Sequence, residues 1–369
     1  MKQAYSTDFP TQLKAIENRI RSIDPIKYAS TRNFQNGAVT RLSPYISRGV
    51  ISIKQVFEHI KTLNLEWAKV EKLVQELAWR DYWQLVWIEK RDEIFQDLKH
   101  QQHPISNHQI PEAVMNANTG ISAVDDAINE LYETGYMHNH MRMYVASICC
   151  NIAHSHWLEP AQWMYSHLLD GDIASNHLSW QWVSGAFANK KYVANQDNIN
   201  KYFNSDQRDT ILDVDYSALE NLKTPNNLRK TVDPCQEFKL PESGDIEIDP
   251  HQKTFIYNYY NLDPYWHNDQ DGQRILLLEP SLFQKFPVSQ KCIDFALELS
   301  GNIPGIKLFV GEFSALNALI DSELIHFKEH PTNVHYKGHE ESRLWMTSVK
   351  GYFPSFFAYW KKAKKELIY

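Results

Sequence analysis

The sequence predicts a mainly α protein: an all-helical domain over residues 1–203, a linker over 204–250, and a small α/β segment with a closing C-terminal helix over 251–369. Three observations carry this. Apolar residues recur every three to four positions through the first part, the helical period. The stretches NSDQRDT, KTPNNLRKTVDP and PESGDIEIDP then break that period with polar residues, Pro and Asn. Beyond them, short apolar runs alternate with helical patterns, which implies strands joined by helices and hence a parallel sheet.

The elements follow in order. Ser43-Pro44 is a helix start, with Ser as N-cap and Pro at the first position. Residues 52–63 place Ile53, Val56, Phe57, Ile60 and Leu63 on one face. Residues 66–98 form one long helix with Val70, Leu73, Val74 and Leu77 inward. The pattern continues over 121–133, 138–157, 160–169 and 173–185, with breaks at Gly120, Gly135 and Pro160. After the linker, 275–280, 306–311 and 324–330 read as strands, 287–300 and 313–320 as the helices between them, and 353–368 as an amphipathic helix with a basic end.

Composition narrows the function. A net charge of -7 gives no global signal for nucleic acid, although a local basic groove stays open. Cys149, Cys150, Cys235 and Cys292 show neither CxxC nor Cys/His metal spacing, which predicts buried thiols in a reducing cytoplasm. The N-terminus carries no apolar leader, and no run is apolar for the roughly 18 residues a membrane span needs. His138/His140 and His154/His156 are spaced i, i+2, so on a helix their rings point apart and no metal site is expected. There is no Walker loop, no GxSxG and no GxGxxG. The expectation is a cytosolic protein without metal or membrane partner.

Chemistry concentrates in residues 163–182, WMYSHLLDGDIASNHLSWQW. Two carboxylates flank one glycine (Asp170, Gly171, Asp172), and Asn176, Trp180 and Trp182 follow. This set suits a pocket for a flat, electron-accepting ring. In QELAWRDYW, Glu76, Trp79 and Arg80 share one helical face, as Asn139, Arg142 and Met143 do in MHNHMRM. From the residues alone, each triad is either a pocket wall or an ordinary solvated face. Arg142 is placed to pair with Asp170 or Asp172 and hold it ionised. Thr40 and Ser43 either cradle a phosphate or simply cap a helix.

Seven motifs in order resemble the FAD-binding domain of the photolyase/cryptochrome family: Tyr28…Arg32, TRLSPYISRG, QELAWRDYW, TG…VDDAINEL, TGYMHNHMRM, LLDGDIASN and WQW. The resemblance covers about Tyr28 to Phe203 and is closest to cyclobutane pyrimidine dimer photolyases. It implies a photolyase-type helical fold binding FAD. Tyr28, Thr40, Leu42 and Ser43 would hold the diphosphate region, with Val39 where the family usually has a further Thr. Arg142 and Asp170 would form a salt bridge beside the ring, with Arg80 on the cofactor as well. Asp172 would lie near the pyrimidine edge, and Asn176 would face N5. Glu76, Trp79, Asn139, Met143 and Trp182 match the lesion pocket. Arg32 and His140 lie where DNA is contacted, His140 being a weaker phosphate anchor than the family's Arg.

The activity so implied is blue-light-driven repair of pyrimidine dimers in DNA, single- or double-stranded, by electron transfer from reduced flavin; the alternatives are a flavin photosensor signalling through a partner and a redox-inert relic. Trp180 and Trp157 match the inner two electron-transfer tryptophans, while Pro104 stands where the outer one belongs, so photoreduction would be slow or leave through another Tyr or Trp. The family's N-terminal antenna domain is expected to be lacking. The α/β segment after residue 250 is expected to hold too few strands for a full antenna fold and to bind no pigment.

Overall fold

The computed structural model describes residues 9–219, 221–234, 237–242, 244 and 246–369; Cys235 and the first eight residues of the expected leaderless N-terminus lie outside these. The chain opens with α1 (Leu13–Arg21), α2 (Pro25–Thr31), α3 (Ser43–Ser47), α4 (Ile53–Thr62) and the long α5 (Trp67–Lys90). A two-residue strand β1 (Ile110–Pro111) precedes α6 (Glu112–Met115), α7 (Ser122–Thr134), α8 (Asn139–Ser147), α9 (Leu158–His167), α10 (Ile173–Ser184) and α11 (Gln196–Phe203).

The apolar period accounts for these helices. Ile53, Val56, Phe57 and Ile60 are buried along α4, whose start is fixed by a reciprocal Ser52–Gln55 capping box. α5 ends earlier than expected, because the chain turns at Arg91 (φ 52°) into a 3₁₀ turn over Arg91–Phe95. The expected helix over 138–157 is α8 followed by one π turn, Ile148–Ile152. Ser43 is the first residue of α3 rather than its cap; Leu42 holds the cap position and no side chain caps the helix.

The polar stretch after residue 203 carries α12 (Tyr216–Leu219) and β2 (Thr231–Val232), which pairs antiparallel with β1. Leu212, Leu219 and Leu228 are buried in the core of α6 to α11.

The last part contains β3 (Thr254–Asn258), β4 (Gln273–Leu278), α13 (Pro280–Lys285), α14 (Gln290–Ser300), β5 (Ile306–Val310), α15 (Phe313–Asn317), β6 (Ile325–Lys328), β7 (His339–Glu341) and α16 (Phe356–Leu367). The sheet has five parallel strands in the order β5-β4-β3-β6-β7, two more than the sequence reading, which missed β3 and β7. Counted from β3 this is the order 3-2-1-4-5, with its reversal point between β3 and β6.

Alternate residues of the sheet serve different layers. Ile256, Ile275, Leu277 and Phe327 on one face of the sheet pack with Phe313 and Leu316 of α15. Phe255, Tyr257, Leu276 and Leu278 join a core that continues through α14 and α16 into α4 and α5. The sheet and the first helices therefore share one apolar core. Their contact is tightest at Gly49 (φ +69°), where an added Cβ would lie 2.4 Å from the Tyr260 carbonyl oxygen. Among the described residues, no helix is long and apolar enough to cross a membrane.

Candidate functional site

The turn between α9 and α10 presents Asp170 and Asp172, both buried. Gly171 separates them because a Cβ there would meet the Tyr165 and Leu168 carbonyl oxygens at 2.9 and 3.0 Å. Arg142 of α8 donates Nη2 to both oxygens of Asp170 at 3.0 Å and is steadied by its Nε on the Met137 carbonyl. Asp172 is the N-cap of α10, accepting the Ser175 N–H at 2.8 Å. Its other oxygen accepts from Arg80 Nη2 at 3.2 Å and Gln84 Nε2 at 2.7 Å. Burial alone would push this carboxyl up; Arg80, the Ser175 contact and Arg343 outweigh it and hold Asp172 below its ordinary value. Ser47 ties Arg80 to the turn, accepting from Arg80 Nη1 and donating to the Asp170 main-chain carbonyl oxygen at 2.8 Å.

One turn into α10, Asn176 donates Nδ2 to the Ala161 carbonyl at 2.8 Å, which leaves its Oδ1 as an acceptor. Tyr28 stands half-buried on α2, its phenol pushed up by burial and by Glu76. Thr40 Oγ1 accepts the Leu42 N–H at 3.4 Å. The Leu42 side chain is in the core, so only its backbone is free to touch a ligand, and Ser43 is half-buried beside it.

The face of α5 carrying Arg80 also carries Glu76, which is flanked by Lys72 Nζ at 2.9 Å and Arg32 Nε at 3.5 Å. Trp79 is half-buried, with one face stacked on Phe356 of α16 at 3.7 Å and 9°. Asn139 is exposed at the start of α8 and Met143 half-buried one turn on. Trp182 is 36% exposed, 5.9 Å from the Tyr192 ring. Trp180 and Trp157 are buried. The Trp157 indole N–H is donated to Asp97 at 2.7 Å, and its ring neighbours are His156 and His177.

Two of the residues expected at DNA contacts have partners within the chain. His140 is not a surface group facing DNA: it is buried, its ring nitrogens meet the Asn33 carbonyl at 3.0 Å and the Tyr192 hydroxyl at 3.4 Å, and Tyr144 and Tyr202 pack on it. The Arg32 guanidinium, partly exposed, lies with Nε 3.5 Å from Glu76 and donates Nη1 to the Ala29 carbonyl at 3.0 Å.

Sequence reasoning missed Gln84, Ser47, Asp97, Phe356 and Arg343. Gln84 follows Arg80 at i+4, so the helical spacing that found Arg80 also points to it. Phe356 and Arg343 approach from the far end of the chain, with no local signal. Among the described residues, no group of three or more His, Cys, Asp or Glu is placed to hold a metal ion.

Residues 73–215 match the family model described as the FAD binding domain of DNA photolyase. A deoxyribodipyrimidine photo-lyase from Streptomyces griseus is 33% identical over 150 residues, covering 40% of this chain and 32% of that protein. A cryptochrome DASH from Gloeobacter violaceus is 30% identical over 171 residues, covering 43% of this chain and 33% of that protein. A cryptochrome crystal structure from Synechocystis sp. superposes with a TM-score of 0.47 at 26% identity, over 51% of this chain and 42% of that one. The matches thus span about a third of the length of these sequence relatives.

The cofactor of this domain is FAD, and the donor set fits it. A flavin offers ring N–H and carbonyl groups along one edge and a ribityl-diphosphate tail. The ionised Asp172, the unused Asn176 oxygen and the Thr40 and Ser43 hydroxyls are matching partners.

Proposed function

We propose that this member of the photolyase/cryptochrome family, which carries the family's FAD-binding domain, repairs cyclobutane pyrimidine dimers in DNA under blue light. The observation that carries the reading is the face of α5. Arg80 reaches Asp172 from it at 3.2 Å, while Glu76 and Trp79 stand on the same face, so cofactor and lesion groups adjoin.

Reduced FAD, when bound, supplies the light-driven electron. The chain's residues do the rest. Asp170 and Asp172, held by Arg142 and Arg80, would hold the ring, and the Asn176 oxygen would accept an N–H from it. The lesion would swing out of the DNA duplex, at about a few kcal/mol, toward Trp79, Trp182 and Met143. Glu76 and Asn139 hydrogen-bond its polar edge. One electron enters the dimer, its two inter-ring carbon–carbon bonds break, and the electron returns, so the reaction is redox-neutral. The buried, unpaired Cys149, Cys150 and Cys292 suit a reducing cytoplasm.

The test is to illuminate the reduced, FAD-loaded protein with a thymine-dimer oligonucleotide and follow the thymine absorbance. Recovery on single- or double-stranded substrate supports repair; no recovery on either contradicts it. A second reading, a flavin photosensor, is favoured by the burial of His140 and the internal pairing of Arg32, which would weaken two of the expected DNA contacts. It predicts light-dependent spectral change without thymine recovery.

A further inference from the structure

We propose that the C-terminal α/β segment is a functional arm of the flavin site, acting through Arg343 and Arg48 as positioning residues. The proposal rests on the flavin reading above and assigns a role to a part of the chain outside the matched domain.

Arg343, two residues after β7, donates Nη1 to Gln84 Oε1 at 2.7 Å. Gln84, 2% exposed, donates Nε2 to Asp172 Oδ2 at 2.7 Å. An amide has one accepting and one donating end, and a guanidinium only donates. With Arg343 on the carbonyl end, the NH₂ end is forced toward Asp172. Without Arg343, the amide is free to turn its oxygen to the Asp172 carboxylate and lose that bond. The Arg343 charge also helps keep Asp172 ionised.

The second leg holds the backbone of the same turn. Arg48 is fully buried and donates Nη2 to the Gly171 carbonyl, between the two aspartates. Its guanidinium lies 3.7 Å from the centroid of Tyr259 and 5.0 Å from that of Tyr260, just past β3. The Tyr260 hydroxyl in turn bonds the Tyr165 hydroxyl of α9 at 2.6 Å. Cation–π contact is strongest where water is excluded, as here. Loops at the carboxyl ends of two strands thus reach this turn through intermediaries, one through Gln84 to the Asp172 oxygen and the other by packing on Arg48, which follows α3 and holds the Gly171 carbonyl. An ordinary domain interface would bury apolar surface without converging on these atoms.

The test compares FAD-loaded wild type with Arg343→Gln, Gln84→Leu and the double variant. FAD dissociation constants, the midpoint potential of bound FAD and melting temperature are measured together. Arg343 is partly exposed, so Arg343→Gln should fold; its FAD dissociation constant should rise about tenfold, with a shifted potential. Gln84→Leu should do the same, and the double variant should add nothing further, because the two act in one chain. Should Arg343→Gln not fold, Arg343→Lys carries the test, since the shorter ammonium cannot reach Gln84 in the same geometry. A folded Arg343 variant with unchanged dissociation constant and potential overturns the proposal, and so do additive effects. Asp172→Asn separates the two levels. If it leaves FAD binding unchanged, the flavin reading falls. If it weakens binding while the Arg343 variants do not, only the arm falls.

Discussion

Asp170 and Asp172 stand one glycine apart and are held by different parts of the molecule. Asp170 depends on Arg142, from a helix in the same core. Asp172 is reached by Arg80 and Gln84 of α5, and through Gln84 by Arg343, 259 residues further along the chain. The difference shows that a buried carboxylate shared between layers reports on how those layers meet. One held within a single layer reports only on that layer. Disturbing the Arg343–Gln84 contact should therefore reach the Asp172 carboxylate and spare that of Asp170.

The largest expected effect is at Phe356, 2% exposed against Trp79. Phe356→Ala should lower unfolding free energy by about 3–5 kcal/mol, measured by urea unfolding, and slow repair because Trp79 loses its backing. A loss under about 1 kcal/mol would mean that α16 is not part of this core. Next is Gly49→Ala, which meets the Tyr260 carbonyl at a positive φ and should destabilise by about 1–3 kcal/mol. If it is neutral, the close approach of the two layers is wrong.

A pH experiment sharpens the same junction. Burial pushes Asp81, facing Met346 across it, from 3.8 to about 7 despite the Met346 N–H, Arg343 and Arg80. A folded-state pKa above the unfolded one favours the protonated form. That stability is complete below the unfolded value and lost as pH rises through about 7. Asp81→Asn should flatten the fall in melting temperature between these values; parallel profiles for both proteins would show Asp81 ionised throughout. The smallest effect on stability is expected at Asn176→Asp, which loses the donor to Ala161 but should change the visible spectrum of the light-reduced protein. An unaltered spectrum would move N5 away from Asn176.

Periodicity made the helical part legible because α4 and α7 each bury one apolar stripe, as α5 does over its first half before it becomes buried on every side from Asp81 to Trp87. The sheet was only half legible. β3 (TFIYN) is a short run followed directly by Tyr-Tyr-Asn, and β7 (HEE) is a polar edge strand, so neither alternates cleanly. At the site, helical spacing brought Glu76, Trp79 and Arg80 together, while Arg142 was left open between Asp170 and Asp172 until the family resemblance assigned it to Asp170. Motif position located His140 but carried no sign of the tyrosines that bury it. The Arg343–Gln84–Asp172 chain was illegible because no local pattern encodes a contact across the whole chain.

The central claim is that the groups gathered around Asp170 and Asp172 hold FAD. It is tested most directly by equilibrium FAD titration of wild type, Asp170→Asn and Asp172→Asn, with folding checked by circular dichroism. The account predicts that both folded variants bind FAD at least tenfold more weakly, and that Phe356→Ala combined with Asp172→Asn is less than additive while its combination with Asp170→Asn is additive. Wild-type affinity in both aspartate variants would contradict it.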